Sequence, residues 1–144
     1  GCYKMKKLLP LLLLILIGCS EPEPINYQML VQRDGLYYLK DTNEIYSGPV
    51  FNIEGKSTGY IKKGKWNGEF EFYHSNGQLE SEGTVKDGKL DGPFKTYHDN
   101  GQLQLESTHK DGIIDGPYKY YYDNGQLKQE GTYKDGELIE QKKY

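Results

Sequence analysis

Two hydrophobic patterns divide the chain. Leu8 to Ile17 is an apolar run broken only by Pro10. From Asn26 onward, apolar residues instead alternate with polar ones between clusters of Gly, Asn and Asp. Alternation with a period of two predicts strands that bury one face. The alternation is itself repeated. Asn76-Gly77-Gln78-Leu79 returns as Asn100-Gly101-Gln102-Leu103 and as Asn124-Gly125-Gln126-Leu127, 24 residues apart each time. Tyr73, Tyr97 and Tyr121 keep the offset, as do Glu82, Glu106 and Glu130, and Gly92-Pro93 with Gly116-Pro117. A degraded copy runs from Gly59 to Gly68, and a looser one touches Arg33–Tyr38 and Ser47–Phe51.

Each repeat carries an Asn-Gly and an Asp-Gly. Both dipeptides suit two-residue type I′ turns, in which both central residues have positive φ. The expected fold is therefore all-β: a single-layer antiparallel meander of hairpins, elongated and twisted. With Asn76-Gly77 as a two-residue turn, His74 pairs with Leu79, Tyr73 with Glu80 and Phe70 with Gly83. With Asp87-Gly88 as the next, Val85 pairs with Leu90. One face then collects Phe70, Phe72, Leu79, Val85, Leu90, Phe94, Tyr118, Tyr120, Tyr133 and Leu138, and the other collects Glu82, Lys95, Glu106, Lys119 and Glu130. A one-residue slip would invert every side chain, so this separation supports the register. It sets Lys95 against Glu106 and Lys119 against Glu130, pairs worth about 0.2–1 kcal/mol each. Glu71 facing Glu82 breaks the rule. Curling of the sheet, residues 25–60, or a second copy are the alternatives for covering the apolar face.

The early run has a different meaning. Lys6 and Lys7 precede about ten apolar residues, the layout of a secretory signal, and too few for a spanning helix, which needs about 20. Leu16-Ile17-Gly18-Cys19 resembles the lipobox of bacterial lipoproteins, which implies acylation of Cys19. The expected organisation is a signal peptide over 1–18 (with residues 1–4 upstream of Met5), a lipidated cysteine and tether over 19–25, and a repeat domain over 26–144 that is degenerate before 59. The expected location is the cell envelope, at the outer membrane in a Gram-negative cell. Cys2 and Cys19 are the only cysteines, so the repeats hold no disulfide or thiolate site. The formal charge is −3, and residues 1–18 hold three lysines and no acids, so from Cys19 onward it is −6. With no basic cluster in view, nucleic acid is not an expected partner.

The pattern Gly-Pro-x-x-x-Tyr-x-x-Asn-Gly-Gln-Leu-x-x-Glu-Gly-x-Tyr-Lys-Asp-Gly resembles the MORN repeat variant family over Gly64 to Tyr133, and more faintly over Asn26 to Gly59. The second copy departs at Ser107 and His109, where Gly and Tyr are usual. The resemblance implies an interaction role. Many bacterial members are labelled antitoxins, whose pairs normally act in the cytoplasm, whereas a signal peptide directs a chain out of it.

Chemistry-bearing residues recur as rungs and do not converge. His74 and His98 lie two strands apart, roughly 10 Å, whereas zinc takes donors at about 2 Å from one point. Glu82, Glu106 and Glu130 share that spacing, near the ~6.5–9.5 Å of inverting glycosidases, but on an open face beside lysines. Asp87-Gly88-x-x-Asp91-Gly92 lacks the ligand density of a calcium loop. The expectation is a non-enzyme without metal or cofactor, held to a membrane by its lipid and binding a protein partner. The alternatives are a cell-wall or glycan-binding module, because the Tyr-x-x-Asn-Gly-Gln-Leu segments are similar to the aromatic repeats of such modules, or an antitoxin-like protein of a toxin–antitoxin system, as the family resemblance implies. The candidate binding residues are Tyr73, Tyr97 and Tyr121, one per repeat on the charged face, opposite Glu80, Gln104 and Lys128.

Overall fold

The structure, a computed structural model, describes residues 22–52 and 57–144. The signal segment and Cys19 lie outside the described residues. Among the described residues, thirteen strands follow in order: β1 (Ile25–Asn26), β2 (Leu30–Arg33), β3 (Leu36–Leu39), β4 (Gly48–Phe51), β5 (Thr58–Lys62), β6 (Lys65–Trp66), β7 (Gly68–Tyr73), β8 (Leu79–Lys86), β9 (Lys89–Tyr97), β10 (Leu103–Lys110), β11 (Ile113–Tyr121), β12 (Leu127–Lys134) and β13 (Glu137–Lys143). The described residues contain one 3₁₀ turn, Tyr27–Met29, and no α-helix. One sheet runs β1-β4-β5-β7-β8-β9-β10-β11-β12-β13, with β6 on β5, while β2 and β3 form a separate hairpin. From β7 to β13 each strand pairs antiparallel with the next in sequence, the expected meander; β1 and β4 are parallel.

The two turn classes differ. At Asp87-Gly88, Asp111-Gly112 and Asp135-Gly136 both residues have positive φ, from 49° to 86°, as type I′ requires. At the Asn-Gly sites only the glycine does, Gly77 at 85°, Gly101 at 82° and Gly125 at 82°. The expected two-residue turn is wrong there. His74 donates its N–H to the Gln78 carbonyl (2.8 Å) and accepts from Gly77 N–H (2.8 Å), so Ser75, Asn76 and Gly77 form a three-residue loop. That is a type I turn closed by a left-handed glycine. Asn76 Oδ1 favours it by accepting the Gln78 N–H at 3.0 Å. The extra loop residue is absorbed by a bulge: Tyr73 pairs with Leu79, Glu80 is passed over, and Phe72 pairs with Ser81. The expected tyrosine neighbours Glu80, Gln104 and Lys128 are thereby replaced by Leu79, Leu103 and Leu127. Beyond the bulge, the register is the expected one, including Phe70 with Gly83 and Val85 with Leu90.

Adjacent turns are stapled together. Asn76 Nδ2 donates to the Asp99 carbonyl at 2.6 Å, and Asn100 Nδ2 to Asp123 at 2.8 Å. His74 Nε2 reaches the Tyr97 carbonyl at 2.9 Å, and His98 Nε2 that of Tyr121 at 3.1 Å. On the opposite margin, Gly88, Gly112 and Gly136 N–H groups donate to Trp66, Leu90 and Ile114 carbonyls. Each repeat thus satisfies the backbone of its neighbour, which ties neighbouring turns into one array.

On the apolar face one row alternates large and small across the sheet: Phe70, Gly83, Phe94, Ser107, Tyr118, Gly131, Gln141. Rings lie over the glycines, so a Cβ at Gly83 would sit 3.1 Å from both Phe70 and Phe94. The aliphatic core is elsewhere. Leu30, Tyr46, Val50 and Ile61 are buried together, with Ile25, Tyr37, Leu39 and Trp66 against them. The described residues between 25 and 52 therefore pack at the start of the sheet and leave its later strands bare: Tyr120, Tyr122 and Leu138 remain 40–46 % exposed.

Candidate functional site

The charged face is organised by one row of directly opposed residues, Glu71, Glu82, Lys95, Glu106, Lys119, Glu130 and Lys142. The expected oppositions of Lys95 with Glu106 and Lys119 with Glu130 are present in the register. The close contacts, however, are to the other flanking acid: Lys95 Nζ lies 3.6 Å from Glu82, and Lys119 Nζ 3.7 Å from Glu106. Both pairs are solvent-exposed and contribute little alone.

The three tyrosines complete this row. Tyr97 OH donates to Glu82 at 2.7 Å and Tyr121 OH to Glu106 at 2.8 Å, each reaching back one repeat. Burial, then the hydrogen bond and charge of the glutamate, push both phenols up to about 12. Tyr73 OH donates to Glu71 at 2.6 Å within its own strand, which supplies a partner at the Glu71–Glu82 juxtaposition. The structure thus places Tyr73, Tyr97 and Tyr121 on one face, one per repeat, with every hydroxyl engaged by a carboxylate. Tyr97 and Tyr121 thereby stitch neighbouring strands, and all three residues are half-buried.

Two features escaped the sequence reading. The first is an apolar groove of about 560 Å³ between the sheet and its N-terminal cap, lined by Tyr27, Trp66, Phe70, Phe72, Leu90 and Phe94 among others. Trp66 stands 5.9 Å from Tyr27 and 6.2 Å from Phe72, centroid to centroid. The polar groups at its rim are partly spoken for, since Asn52 and Ser57 bond each other and Ser57 Oγ accepts the Tyr73 N–H. Only the single Trp marked this place in the sequence. The second is a correction to the absence of a basic cluster: Lys62, Lys63, Lys65 and Lys86 line one concavity of about 680 Å³.

On the apolar face, Ser107 Oγ and His109 Nδ1 are buried without a partner. His109 stacks edge-on against Phe94 at 5.7 Å, and burial lowers its pKa below the usual imidazole value. Among the described residues, no three His, Cys, Asp or Glu side chains are grouped to hold a metal ion. No helix among them is long and apolar enough to cross a membrane.

Residues 66–87, 90–111 and 114–135 match the MORN repeat variant. Each matched stretch holds one Asn-Gly loop and ends at an Asp-Gly turn, so the family unit coincides with the structural one. No curated protein matches the chain.

Proposed function

We propose that this chain, a member of the MORN repeat variant family through residues 66–135, is a lipid-anchored, non-enzymatic scaffold of the bacterial cell envelope that binds a protein partner. One observation carries the reading. The stapled sheet leaves Phe72, Tyr120, Tyr122 and Leu138 37–46 % exposed on one face, while the tyrosine hydroxyls and two lysines of the opposite face bond to its own carboxylates. Large apolar residues left exposed on one sheet face fit an interaction surface. Carboxylates laid out in rungs beside lysines give no convergent acid–base pair.

The lipobox at Cys19 supports the anchor, and Ser20-Glu21-Pro22-Glu23-Pro24 supports a stiff solvated tether. Cys19→Ala should move the protein from membrane to soluble fractions; unchanged fractionation with no acyl mass on wild type would refute the anchor. Capture from detergent-solubilised membranes should identify a partner lost with Tyr120→Ser/Tyr122→Ser. Retention in that variant, and loss in Tyr73→Ser/Tyr97→Ser/Tyr121→Ser instead, would move the site to the tyrosine row.

A glycan-binding role is the second reading, and the groove around Tyr27, Trp66 and Phe72 favours it, because sugars stack on such rings. Trp66 is the only Trp, so its fluorescence reports the groove directly. Peptidoglycan fragments that shift this emission would favour the glycan reading over the scaffold.

A further inference from the structure

The four lysines of the 680 Å³ concavity differ from three other lysines of the charged face. Lys95, Lys119 and Lys134 each lie within 4 Å of a carboxylate. Lys62, Lys63, Lys65 and Lys86 have no ion pair among the described residues. Asp87 and Asp91 also line the concavity, but neither reaches an ammonium group.

The cluster coincides with departures from the repeat. Lys63 occupies the turn position held by Asp87, Asp111 and Asp135 in the later repeats, and Asn67 the position held by Asp91 and Asp115. In the last repeat, Asp115 Oδ1 binds Lys134 Nζ at 3.1 Å. Lys86 is the equivalent of Lys134, and its counterpart, Asn67, carries no charge. Two acids are thus missing around one hollow, and a lysine has replaced one of them.

These departures have a cost. Lys63 adopts φ 50°, a left-handed conformation that Asp and Asn tolerate better than Lys. Lys62 opposes Lys65, and Lys86 opposes Lys89, directly across their ladders; like charges so placed destabilise a sheet. Unpaired cations concentrated in a hollow of an otherwise acidic protein fit a multiply charged anion rich in acceptor oxygens.

We propose that Lys62, Lys63, Lys65 and Lys86, with Asn67, form a binding site for a phosphate-bearing anion. The phosphate oxygens take the ammonium protons, and the Asn67 amide supplies a further donor. The affinity falls with salt, because the lysines are exposed and screened.

The test is lysine acylation of the full chain in neutral detergent, read residue by residue by mass spectrometry. Inorganic pyrophosphate should protect Lys62, Lys63, Lys65 and Lys86, with Lys119 and Lys142 as internal controls. The double variant Lys63→Asp/Asn67→Asp restores the residues of the later repeats and lowers the net charge by three units. It should need more than about tenfold higher pyrophosphate for the same protection of Lys62, Lys65 and Lys86. Lys62→Gln/Lys65→Gln supplies a second variant without a turn substitution, and circular dichroism checks the folding of both. Protection on phosphatidylcholine vesicles containing phosphatidylglycerol, absent on phosphatidylcholine alone, would assign the site to lipid headgroups. Protection by pyrophosphate without that vesicle difference would assign it to a soluble phosphate. Absence of protection by pyrophosphate, or equal protection in the double variant, overturns the proposal.

Discussion

Three substitutions along the large–small row of the apolar face should have different consequences, though each leaves an alanine. Gly83→Ala places a methyl 3.1 Å from the Phe70 and Phe94 rings. Both rings are side-chain atoms that can yield by a few tenths of an ångström. Alanine recovers about 0.5–1 kcal/mol of backbone entropy relative to glycine, against about 1–3 kcal/mol for overpacking. The net loss should be about 1 kcal/mol. Gly131→Ala meets the Tyr118 ring at 2.7 Å and would also overlap the Glu140 carbonyl. That carbonyl belongs to the neighbouring strand β13 and cannot withdraw without opening the β12–β13 ladder, so the loss should exceed about 3 kcal/mol. Ser107→Ala keeps its Cβ and removes a buried Oγ that has no partner, a group whose desolvation costs about 1–3 kcal/mol. It should stabilise by about 1 kcal/mol, or about 4 °C in Tm for a domain of this size. Urea midpoints followed by far-ultraviolet circular dichroism measure all three. A Gly131→Ala variant as stable as wild type, or a destabilised Ser107→Ala, would refute the packing account.

Two further outcomes follow from particular contacts. Asn100→Ala breaks a staple to Asp123 in the next repeat, whereas Asn124 Nδ2 reaches only Gln126 in its own turn; in urea unfolding the first should cost about 1 kcal/mol more than the second, and equal losses would deny the staples a role. His109 is half-buried with its Nδ1 shielded from solvent, and its pKa is lowered below 6.5, so the unfolded chain binds the proton more readily and stability is lost as pH falls through and below 6.5. His109→Tyr should flatten that dependence between neutral pH and pH 5, and an unchanged slope would place its origin elsewhere.

Much of the fold was legible because two independent codes agreed. The Asp-Gly turns fixed the connection of one hairpin, and the alternation of Phe70, Phe72, Val85 and Leu90 fixed which side faced inward. The Asn-Gly loops were misread because the dipeptide is shared by two turn families. What selects between them here is the Asn76 side chain accepting the Gln78 N–H, and the bulge at Glu80 then restores the strand register. The error was local for that reason. The oppositions of Lys95 with Glu106 and of Lys119 with Glu130 were legible, but the closest contacts were not. Lys95 has a glutamate on each side, and register alone does not say which it approaches. The tyrosine row was correctly placed, but the reach of Tyr97 back to Glu82 crosses two positions and has no local sequence sign.

The least legible features lie where the chain departs from its own repeat. Ser107 and His109 replace Gly and Tyr, and each brings an unpartnered polar atom onto the apolar face. Lys63 and Asn67 replace two aspartates and leave cations unpaired. A repeat array gains stability from identical neighbour contacts, so each such departure costs the array something. Departures without a structural return are where function is expected to reside. That argument separates the two pairs. His109 returns an edge-on contact with Phe94, whereas Lys63 and Asn67 return no ion pair or salt bridge within the described residues. The lysine hollow is therefore the departure for which the phosphate-bearing ligand proposed above would supply the compensation.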